Sequence, residues 1–430
     1  MQNKVEFIVN DIEIIKKKIL FWSSTFNNIA YFDSNNYQDK IPNSYDLLVG
    51  VGAVSSINLI KEQNAFYKLT EFYKKQQNWL FGFLSYDLKN DIENLKSENK
   101  NELNFPALHF FVPNYVIELK NDFLVISSEN KKEEIKKVFE EIINQEIAIN
   151  ESSSKINFVA SMPKKDYIRK VEKLKQHIQQ GNIYEVNFCQ EFHSDNVKIN
   201  SLHLYSKLKE ISPVPFSAFY KFDDKYLISA SPERFIKKLG NTVVSQPIKG
   251  TVKRGANDKE DLELKRELQS NTKERAENVM IVDLVRNDLS KIAEKNSVKV
   301  SELCEIYTYP QVHQMISTIE AEVSNKINPI EIIKQVFPMG SMTGAPKIRA
   351  MQLIEQYEET KRGLFSGTVG YIKPNGDFDF NVIIRSLFYN KEKQHLSFQV
   401  GGAITIKSDV EKEYEECIIK AKAILKATNT

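Results

Sequence analysis

Hydrophobic and polar residues follow two different periods along this chain, one typical of strands and one typical of helices. FLVISS at 123–128 is short and mostly apolar, which predicts a strand, whereas KKEEIKKVFEEII at 131–143 keeps its apolar residues on one helix face. YIRKVEKLKQHIQQG at 167–181 predicts a helix closed by Gly181. YLISASPERFIKKLG at 226–240 predicts a strand, a turn and a second strand.

The same two periods continue towards the C terminus. NTKERAENVMIVDLVRNDLSKIAEK at 271–295 has helical character throughout, and VEKEYEECIIKAKAILKA at 410–427 predicts a closing helix. Between them, TVGYIKP, FDFNVIIRSLFYN and LSFQVGGAITI predict three strands separated by turns. Because strands come in hairpin-like series flanked by long helices, the pattern favours a mixed α+β fold over regular β-α-β alternation.

Two polar stretches interrupt these elements and predict surface insertions, LKSENKNELN at 95–104 and INESSSKIN at 149–157. The second is the better boundary, because three consecutive serines separate two patterned regions. It divides the chain into an N-terminal part, 1–150, and a C-terminal part, 151–430. A chain of 430 residues is longer than one compact core usually supports, which favours two intimately joined parts.

Composition and charge narrow the classes of function. Lys and Arg number 59 against 57 Asp and Glu, so no basic arm predicts a nucleic-acid partner. The three cysteines, Cys189, Cys304 and Cys417, form no CxxC pair, which excludes a cysteine zinc site and fits a reducing compartment. No apolar run reaches the length of about 18 residues that a membrane helix needs. We therefore expect a cytoplasmic protein with no membrane association.

One lysine has an unusual setting. In SQPIKGTVKRG, Lys249 lies between Pro247, which restricts the backbone, and Gly250, which frees it. An ordinary surface turn explains this pattern. A desolvated lysine that a ligand approaches closely explains it as well, and such a lysine is a candidate nucleophile. In SPERF, Glu233 lies in a predicted turn before it and is either a solvated carboxylate or a general acid.

Several carboxylates lie on predicted helices. Glu274 and Glu277 are one turn apart on an apolar helix, where a carboxylate needs a cation, a metal or a hydrogen-bond network. On the last helix, Glu416 and Lys420 are four residues apart, which an ion pair explains. Alternatively, Glu277 and Glu416 converge on one Mg²⁺, which one or two carboxylates usually hold together with water and an anionic ligand.

Small residues and one arginine indicate anion binding. FPMGSMTGAPKIRAM contains a small-residue loop at Gly344 whose free backbone N–H groups suit a carboxylate or phosphate, although it is not a Walker A loop. VGGAI places Gly401 and Gly402 at a second point of close approach. Arg385 lies inside an apolar run and needs an anion if it is buried, which an internal salt bridge also provides.

These motifs, taken in order, resemble the chorismate-utilising enzyme family, and within it the branch of the aminodeoxychorismate synthases (component I). The resemblance rests on GNIYEVNFCQEF, SPERF, QPIKGT, ERAENVMIVDLVRNDL, HQMIST, FPMGSMTGAPKIRAM, GTVGYI, IIRS, GGAI and EYEECIIKAKA. It is dense over 158–426 and weak before that. It implies two associated β-sheets in a sandwich with helices outside, with 1–150 as a variable subdomain of that sandwich and 151–430 as the chorismate-binding catalytic region.

The resemblance also implies a set of site residues. It places Mg²⁺ at Glu277 and Glu416. Its implied chorismate contacts are Thr251, His313, Thr343, Gly344, Tyr371, Arg385, Gly401, Gly402 and Lys420.

The lysine motif separates branches of the family. Members that aminate carbon 4 of chorismate carry PIKGT, whereas anthranilate synthases have alanine at the position of Lys249. By that resemblance, Lys249 attacks carbon 2 and displaces the carbon-4 hydroxyl, Glu233 protonates the leaving group, and ammonia then expels the lysine to give 4-amino-4-deoxychorismate. Because the attacking lysine must be neutral, we expect burial, Lys253 or Arg254 to lower its pKa.

Other branches and partners follow from the same resemblance. Isochorismate- and salicylate-forming relatives carry a lysine at the position of Glu185, where many other relatives have glutamine. No GxCxG nucleophile elbow occurs, so the expected ammonia source is solution or a separate glutamine amidotransferase subunit, and the product would lead to 4-aminobenzoate and folate. The alternatives are anthranilate synthase component I, which serves tryptophan synthesis, and a non-catalytic regulator that binds chorismate or tryptophan.

Overall fold

The computed structural model describes residues 3–37, 41, 44–61, 63–147 and 156–429. Most of the predicted boundary stretch at 149–157 lies outside these residues, so the division of the chain there stays a prediction. The strands are β1 Asn3–Ile8, β2 Asn28–Asp33, β3 Leu47–Val51, β4 Ser55–Leu59, β5 Leu80–Leu84, β6 Leu108–Val112, β7 Tyr115–Lys120, β8 Phe123–Ser128, β9 Val159–Ala160, β10 Glu185–Ser194, β11 Phe216–Phe222, β12 Lys225–Ser231, β13 Arg234–Leu239, β14 Thr242–Gln246, β15 Ile248–Lys253, β16 Lys299–Thr308, β17 Val312–Glu322, β18 Gly344–Ala345, β19 Thr368–Ile372, β20 Phe378–Val382, β21 Ser386–Asn390 and β22 His395–Ile404.

The helices confirm most of the expected helical segments. They are α1 Ile12–Ser23, α2 Ala65–Gln76, α3 Lys89–Ile92, α4 Lys132–Asn144, α5 Lys164–Gln179, α6 Ser201–Ile211, α7 Asp258–Ser270, α8 Thr272–Ser290, α9 Pro329–Val336, α10 Lys347–Tyr357 and α11 Val410–Thr428. The predicted helix at 271–295 is α8, which ends five residues early, and the closing helix is α11. Among the described helices, none combines the length and apolar character that crossing a membrane requires.

The strands form two antiparallel sheets. The first has the order β1-β8-β7-β3-β2-β11-β12-β21-β22-β10-β18, with β9 also paired to β10, and the second has the order β15-β17-β14-β13-β20-β19-β5-β6-β4, with β16 paired to β17. Both sheets combine strands from before residue 148 and after residue 155. The α+β sandwich expected from the sequence is therefore present.

Successive side chains along the strands of the first sheet point to opposite faces, so these strands contribute apolar residues to both hydrophobic cores. In β11, Ala218 and Tyr220 pack into the core between the sheets, together with Phe83 of the second sheet, whereas Phe219 faces the other core. That second core is closed by helices, for example by Ile19 of α1 and through other apolar residues of α4, α5, α6, α10 and α11. A sheet covered on both faces buries every residue of a strand, which explains the long apolar runs in the sequence.

One predicted strand is wrong. FDFNVIIRSLFYN was expected to form a single strand, but it forms β20 in the second sheet and β21 in the first. The chain crosses between the sheets at 383–385, where Arg385 has a φ of 53°. Because both halves of the run are buried, hydrophobicity alone did not reveal the crossing. The crossing itself brings Arg385 to the junction of the two sheets.

Arg362 and Glu358 form a buried ion pair that also holds neighbouring backbone segments together. Arg362 donates to both carboxylate oxygens of Glu358, at 2.9 and 2.6 Å, and to the carbonyls of Met342 and Asn187, at 2.6 and 2.7 Å. Its side chain is only 1% exposed. The guanidinium thus ties β10 to the segment that precedes β18.

Replacing Arg362 with methionine is expected to lower the free energy of unfolding by about 3–5 kcal/mol, because the Glu358 carboxylate would stay buried without its partner. The comparison of denaturant midpoints measures this loss. Arg286→Met is the matched control, since Arg286 pairs with Asp283 on an exposed surface and should change stability by no more than about 0.5 kcal/mol. Equal midpoints for the two variants would contradict the expected role of Arg362.

Candidate active site

A cleft of about 520 Å³ opens beside β15 and β22 and is bounded by α8 and α11. Its lining contains cations and carboxylates in equal number, namely Lys249, Lys253, Lys273, Arg385 and Lys420 with Glu233, Glu274, Glu277, Glu413 and Glu416. Such a mixture suits a small, highly charged ligand better than an apolar one. Most of the residues that the sequence singled out for chemistry meet here.

Lys249 reaches the cleft from β15 because the strand is irregular at this point. The register against β17 shifts between Ile248 and Thr251, and Gly250 has a φ of 89°, which a side-chain-bearing residue would adopt only with strain. The Nζ atom of Lys249 lies 3.2 Å from Oε1 of Glu185, and the two side chains are 11% and 1% exposed. The glycine after the lysine therefore forms the bulge that directs a buried cation into the cleft.

The electrostatic environment of Lys249 contradicts the expectation of a lowered pKa. Burial by itself lowers the pKa, but the carboxylates of Glu185, Glu277 and Glu233 together outweigh burial and raise it above its usual value. The guanidinium of Arg254, which was expected to lower this pKa, donates to Asp261 at 2.7 and 2.8 Å, so its charge is paired there. In the unliganded cleft, Lys249 is an ammonium group.

Glu233 is held at the turn between β12 and β13. Its backbone carbonyl accepts a hydrogen bond from the N–H of Val382 at 3.0 Å, and its own N–H donates to Oγ of Ser231 at 3.3 Å. Burial raises the pKa of its carboxyl group to about 7, although the nearby Ser341 side chain and the charge of Lys249 act in the opposite direction. The raised pKa lets this group keep its proton much closer to neutral pH than an ordinary glutamate does, as a general acid requires.

Carboxylates from two helices lie at the other side of the cleft. Lys273 lies between Glu277 and Glu413, with its Nζ 3.7 and 3.4 Å from their Oε1 atoms. A side chain at Gly402 would meet Oε2 of Glu413 at 3.3 Å and Oε1 of Glu416 at 3.9 Å, so this glycine keeps the backbone of β22 close to the cluster.

This cluster fits a divalent cation. Burial raises the pKa of Glu277 to about 7, and its Oε1 is buried without a hydrogen-bond partner. Burial also acts to raise the pKa of Glu416, but Lys420, Lys273 and Lys249 outweigh it and lower that pKa. Within the described ranges no three His, Cys, Asp or Glu side chains form a complete metal cage. A cation here would therefore rest on one or two carboxylates plus water and ligand oxygens, which is typical of Mg²⁺.

Positive charge lines the wall formed by the end of β22 and α11. Lys420 donates from Nζ to the carbonyl of Gly401 at 2.9 Å and pairs with Glu416 at 2.7 Å. Arg385 donates to the carbonyl of Lys420 at 3.4 Å, and burial lowers its pKa although Glu416 raises it. Thr251, on β15, lines the opposite side of the cleft. These groups are placed to receive an anion.

Five of the nine expected substrate contacts are not among the residues that line the cleft: His313, Thr343, Gly344, Tyr371 and Gly402. Of these, Gly402 lies beside the carboxylates of Glu413 and Glu416. Tyr371 instead lines a separate cavity of about 50 Å³, and its ring packs against that of Trp79. His313 is directed away by the strand pleat, and its ring nitrogens lie 3.0 Å from Asp261 and 3.0 Å from Thr308.

Thr343 and Gly344 have structural partners instead of a place in the lining. Oγ1 of Thr343 donates to the carbonyl of Gly340 at 3.1 Å, and Gly344 pairs with Val186 of β10. Gly344 has a φ of 146°, and a side chain there would lie 2.3 Å from the carbonyl oxygen of Glu185. Both residues therefore shape the strand that carries Glu185.

The cleft also contains residues that the sequence analysis did not select. Lys273 and Glu413 had visible signals, because they lie four residues before Glu277 and three before Glu416. Gln314 lines the cleft, whereas its sequence neighbour His313 does not. The alternation of side-chain direction along β17 was the signal that could have distinguished the two. The approach of Glu185 to Lys249 had no local signal, since the two are 64 positions apart.

Comparison with known proteins supports the family that the sequence motifs resemble. The model of the chorismate binding enzyme family matches residues 27–426. Aminodeoxychorismate synthase component 1 of Bacillus subtilis (strain 168) is 34% identical over 364 residues, which cover 82% of this chain and 77% of that protein. The chloroplastic aminodeoxychorismate synthase of Arabidopsis thaliana is 40% identical over 278 residues, or 64% of this chain, and the chain spans only 30% of that protein's length.

Relatives with other names are similar as well. Anthranilate synthase component 1 of Saccharolobus solfataricus is 33% identical over 374 residues, covering 86% of this chain and 85% of that protein. The crystal structure of anthranilate synthase component I from Streptococcus pneumoniae TIGR4 superimposes with a TM-score of 0.78 at 26% identity, covering 90% and 94% of the two chains. The Escherichia coli isochorismate synthase MenF reaches the same TM-score of 0.78 at 16% identity, which shows the common fold alone. This chain belongs to the chorismate binding enzyme family.

Proposed function

We propose that this chorismate-utilising enzyme converts chorismate and ammonia into 4-amino-4-deoxychorismate. The observation that carries the proposal is the presence of Lys249, an amine that is largely buried, in one cleft with Glu233, a buried acid whose pKa is about 7. A nucleophile and a proton donor are the two groups that replacement of a hydroxyl through a covalent intermediate needs. The aminodeoxychorismate synthases among the relatives support this choice of reaction.

In the proposed first half-reaction, the lone pair of Lys249 Nζ forms a bond to carbon 2 of chorismate. The ring double bonds shift, the bond from carbon 4 to oxygen breaks, and the proton of the Glu233 carboxyl group leaves with the oxygen as water. In the second half-reaction, ammonia bonds to carbon 4, the double bonds shift back, and the bond from carbon 2 to Nζ breaks. The nitrogen that ammonia brings to carbon 4 gives up one proton to the Glu233 carboxylate, so that the product carries the new amine at carbon 4 and both Glu233 and Lys249 are regenerated.

The charged walls of the cleft suit chorismate, which carries two carboxylates. Arg385, Lys420 and the backbone at Gly401 would hold one carboxylate through charge-assisted hydrogen bonds. Glu277 and Glu416 would hold Mg²⁺, which supplies charge neutralisation for a substrate carboxylate when it is bound. Thr251 and Gly402 complete the proposed contact set.

Mg²⁺ is expected to raise the Tm of the native chain, because a ligand that binds only the folded state stabilises it, by about 2.7 kcal/mol at 100 times its Kd. Glu277→Gln and Glu416→Gln should each lose most of this rise in differential scanning fluorimetry. Glu411→Gln is the control on the same helix, since Glu411 pairs with Lys164 at the surface. An equal rise in all four proteins would place the ion elsewhere.

We further propose that a glutamine amidotransferase subunit supplies the ammonia and that the product leads to 4-aminobenzoate and folate. The support is the resemblance of the motifs to the aminodeoxychorismate synthases (component I), which implies a separate source of ammonia. The test is the comparison of glutamine with ammonium as nitrogen source for the isolated chain. Activity with glutamine alone would contradict the need for a separate subunit.

The reaction itself is tested by incubating the purified chain with chorismate, Mg²⁺ and ammonium and identifying the product by mass spectrometry. Formation of 4-amino-4-deoxychorismate is the expected result. Anthranilate as the product would overturn the proposed branch in favour of the second candidate, which the 33% identity to the Saccharolobus solfataricus protein keeps open. No turnover at all would favour a non-catalytic regulator.

A further inference from the structure

Glu185 is the carboxylate that lies within ion-pair distance of Lys249. Its Oε1 accepts a hydrogen bond from Nζ at 3.2 Å, and its Oε2 is buried without a hydrogen-bond partner. The backbone on both sides is fixed, because the N–H of Tyr184 donates to the carbonyl of Ala345 at 2.7 Å and Val186 pairs with Gly344. The carboxylate is therefore held in place against the amine by the strand from which it projects.

Lys249 needs a partner that removes its proton. The carboxylates that act on its charge come from β10, from the turn after β12, and from helices α8 and α11, namely Glu185, Glu233, Glu274, Glu277 and Glu416. Together they keep the group an ammonium ion, which has no lone pair to attack carbon 2. A dianionic substrate would strengthen that preference.

Of these carboxylates, Glu185 is the one suited to accept the proton. Glu233 must itself carry a proton to protonate the leaving hydroxyl. Glu277 and Glu416 already pair with Lys273 and Lys420. Among the described residues, Glu185 is the carboxylate within ion-pair distance of Lys249, whereas Glu274 is not, and Glu185 has no other cation within that distance.

We propose that Glu185 accepts the proton of the Lys249 ammonium group before Nζ attacks chorismate and returns it when the amine is released. This inference rests on the proposed function. The Nζ–H bond breaks, an O–H bond forms on Glu185, and the freed lone pair forms the bond to carbon 2. After ammonia expels Nζ as a neutral amine, the Glu185 proton moves back, so that the ion pair at the start is restored without any further reactant.

The test uses full-length Glu185→Gln, Glu185→Asp and, as control, Glu359→Gln, which alters an exposed ion pair with Lys170. Glu185→Gln should aminate chorismate about 10²-fold more slowly at pH 7, and the deficit should shrink as pH rises, because solvent base then removes the Lys249 proton. Glu185→Asp should recover part of the rate, and the control should match the native chain. A Gln variant that is as fast as the native chain at pH 7 would overturn the proposal. A deficit that is equal at every pH, with the Asp variant no faster than the Gln variant, would show that the side chain only supports the structure.

A second measurement needs no turnover and so separates this inference from the proposed reaction. Trinitrobenzenesulfonate labels only neutral amines, and peptide mass spectrometry reports the labelling rate of Lys249. Removing the Glu185 charge lowers the Lys249 pKa, so labelling at pH 8 should be several-fold faster in Glu185→Gln than in the native chain. Faster labelling of the unliganded variant together with slower amination is the expected pair of results, because bound chorismate again favours the ammonium form of Lys249 and the variant then has no acceptor for that proton. Unchanged labelling in Glu185→Gln would overturn the inference. Faster labelling in Glu185→Gln, combined with a native chain that fails to aminate chorismate, would retain the ion pair's role and reject the proposed reaction.

Discussion

Replacing Lys249 with alanine is expected to abolish formation of 4-amino-4-deoxychorismate while leaving the fold and chorismate binding in place. Two other lysines of the cleft, Lys273 and Lys420, are held by Glu413 and Glu416 on the helical side and are not expected to replace the proposed nucleophile on β15. The loss should exceed that for a general acid, which is about 10²–10⁴-fold. The measurement is the product mass spectrum of the variant beside that of the native chain, with chorismate, Mg²⁺ and ammonium.

Two controls make this result interpretable. Lys253→Ala removes a cation from the same strand and the same cleft, and we expect it to weaken binding while leaving the product unchanged. Alanine at 249 also removes the positive charge that the surrounding carboxylates share, so the variant's Tm has to be compared at the pH of the assay. A Lys249→Ala variant that still forms 4-amino-4-deoxychorismate at a native rate would exclude the covalent route.

Replacing Glu233 with glutamine is expected to lower kcat by about 10²–10⁴-fold, because the hydroxyl would have to leave carbon 4 without a proton. The native rate should fall as pH rises through about 7, where this carboxyl group loses its proton. The residual rate of the Gln variant should lack that decline, since an amide does not titrate. Rate profiles between pH 5 and 9 measure both effects.

The stability of this variant should move in the opposite direction to its activity. The folded-state pKa of Glu233 is raised from 4.5 to about 7, so its protonated form stabilises the fold at low pH and that contribution is lost as pH rises through 7. Linkage puts the loss at up to about 3 kcal/mol. Glu233→Gln should therefore be at least as stable as the native chain at pH 8. If the variant unfolds more readily than the native chain at pH 8, its lost activity would be explained by damage to the structure and not by the loss of a proton donor.

The sequence alone predicted the elements that have one clear period. The helices α4, α5 and α11 and the strand pair β12 and β13 follow from local apolar spacing, because each has one buried face or lies between strong turn signals. It failed in one segment whose two faces are both buried. The run that contains β20 and β21 is apolar throughout, so the crossing between sheets at Arg385 left no mark in its hydrophobic pattern.

The site was predictable to a similar extent. Lys249, Glu233, Glu277, Glu416 and Arg385 were selected from motifs, and all five line one cleft. His313 and Tyr371 carry chemistry-bearing side chains but face away, and a shift of one position along a strand reverses the direction of a side chain. Motifs therefore located the strands of the site more reliably than the faces of those strands.

What the sequence by itself determined is the inventory of groups: a lysine before a glycine, paired carboxylates on two helices, and small residues where backbones approach. Only the tertiary structure decided which groups share an environment. Glu185 is 64 positions from Lys249, and it reaches the amine because β10 and β15 approach from different sheets. The protonation state of Lys249 depends on carboxylates from four elements, because charge acts through space and not along the chain.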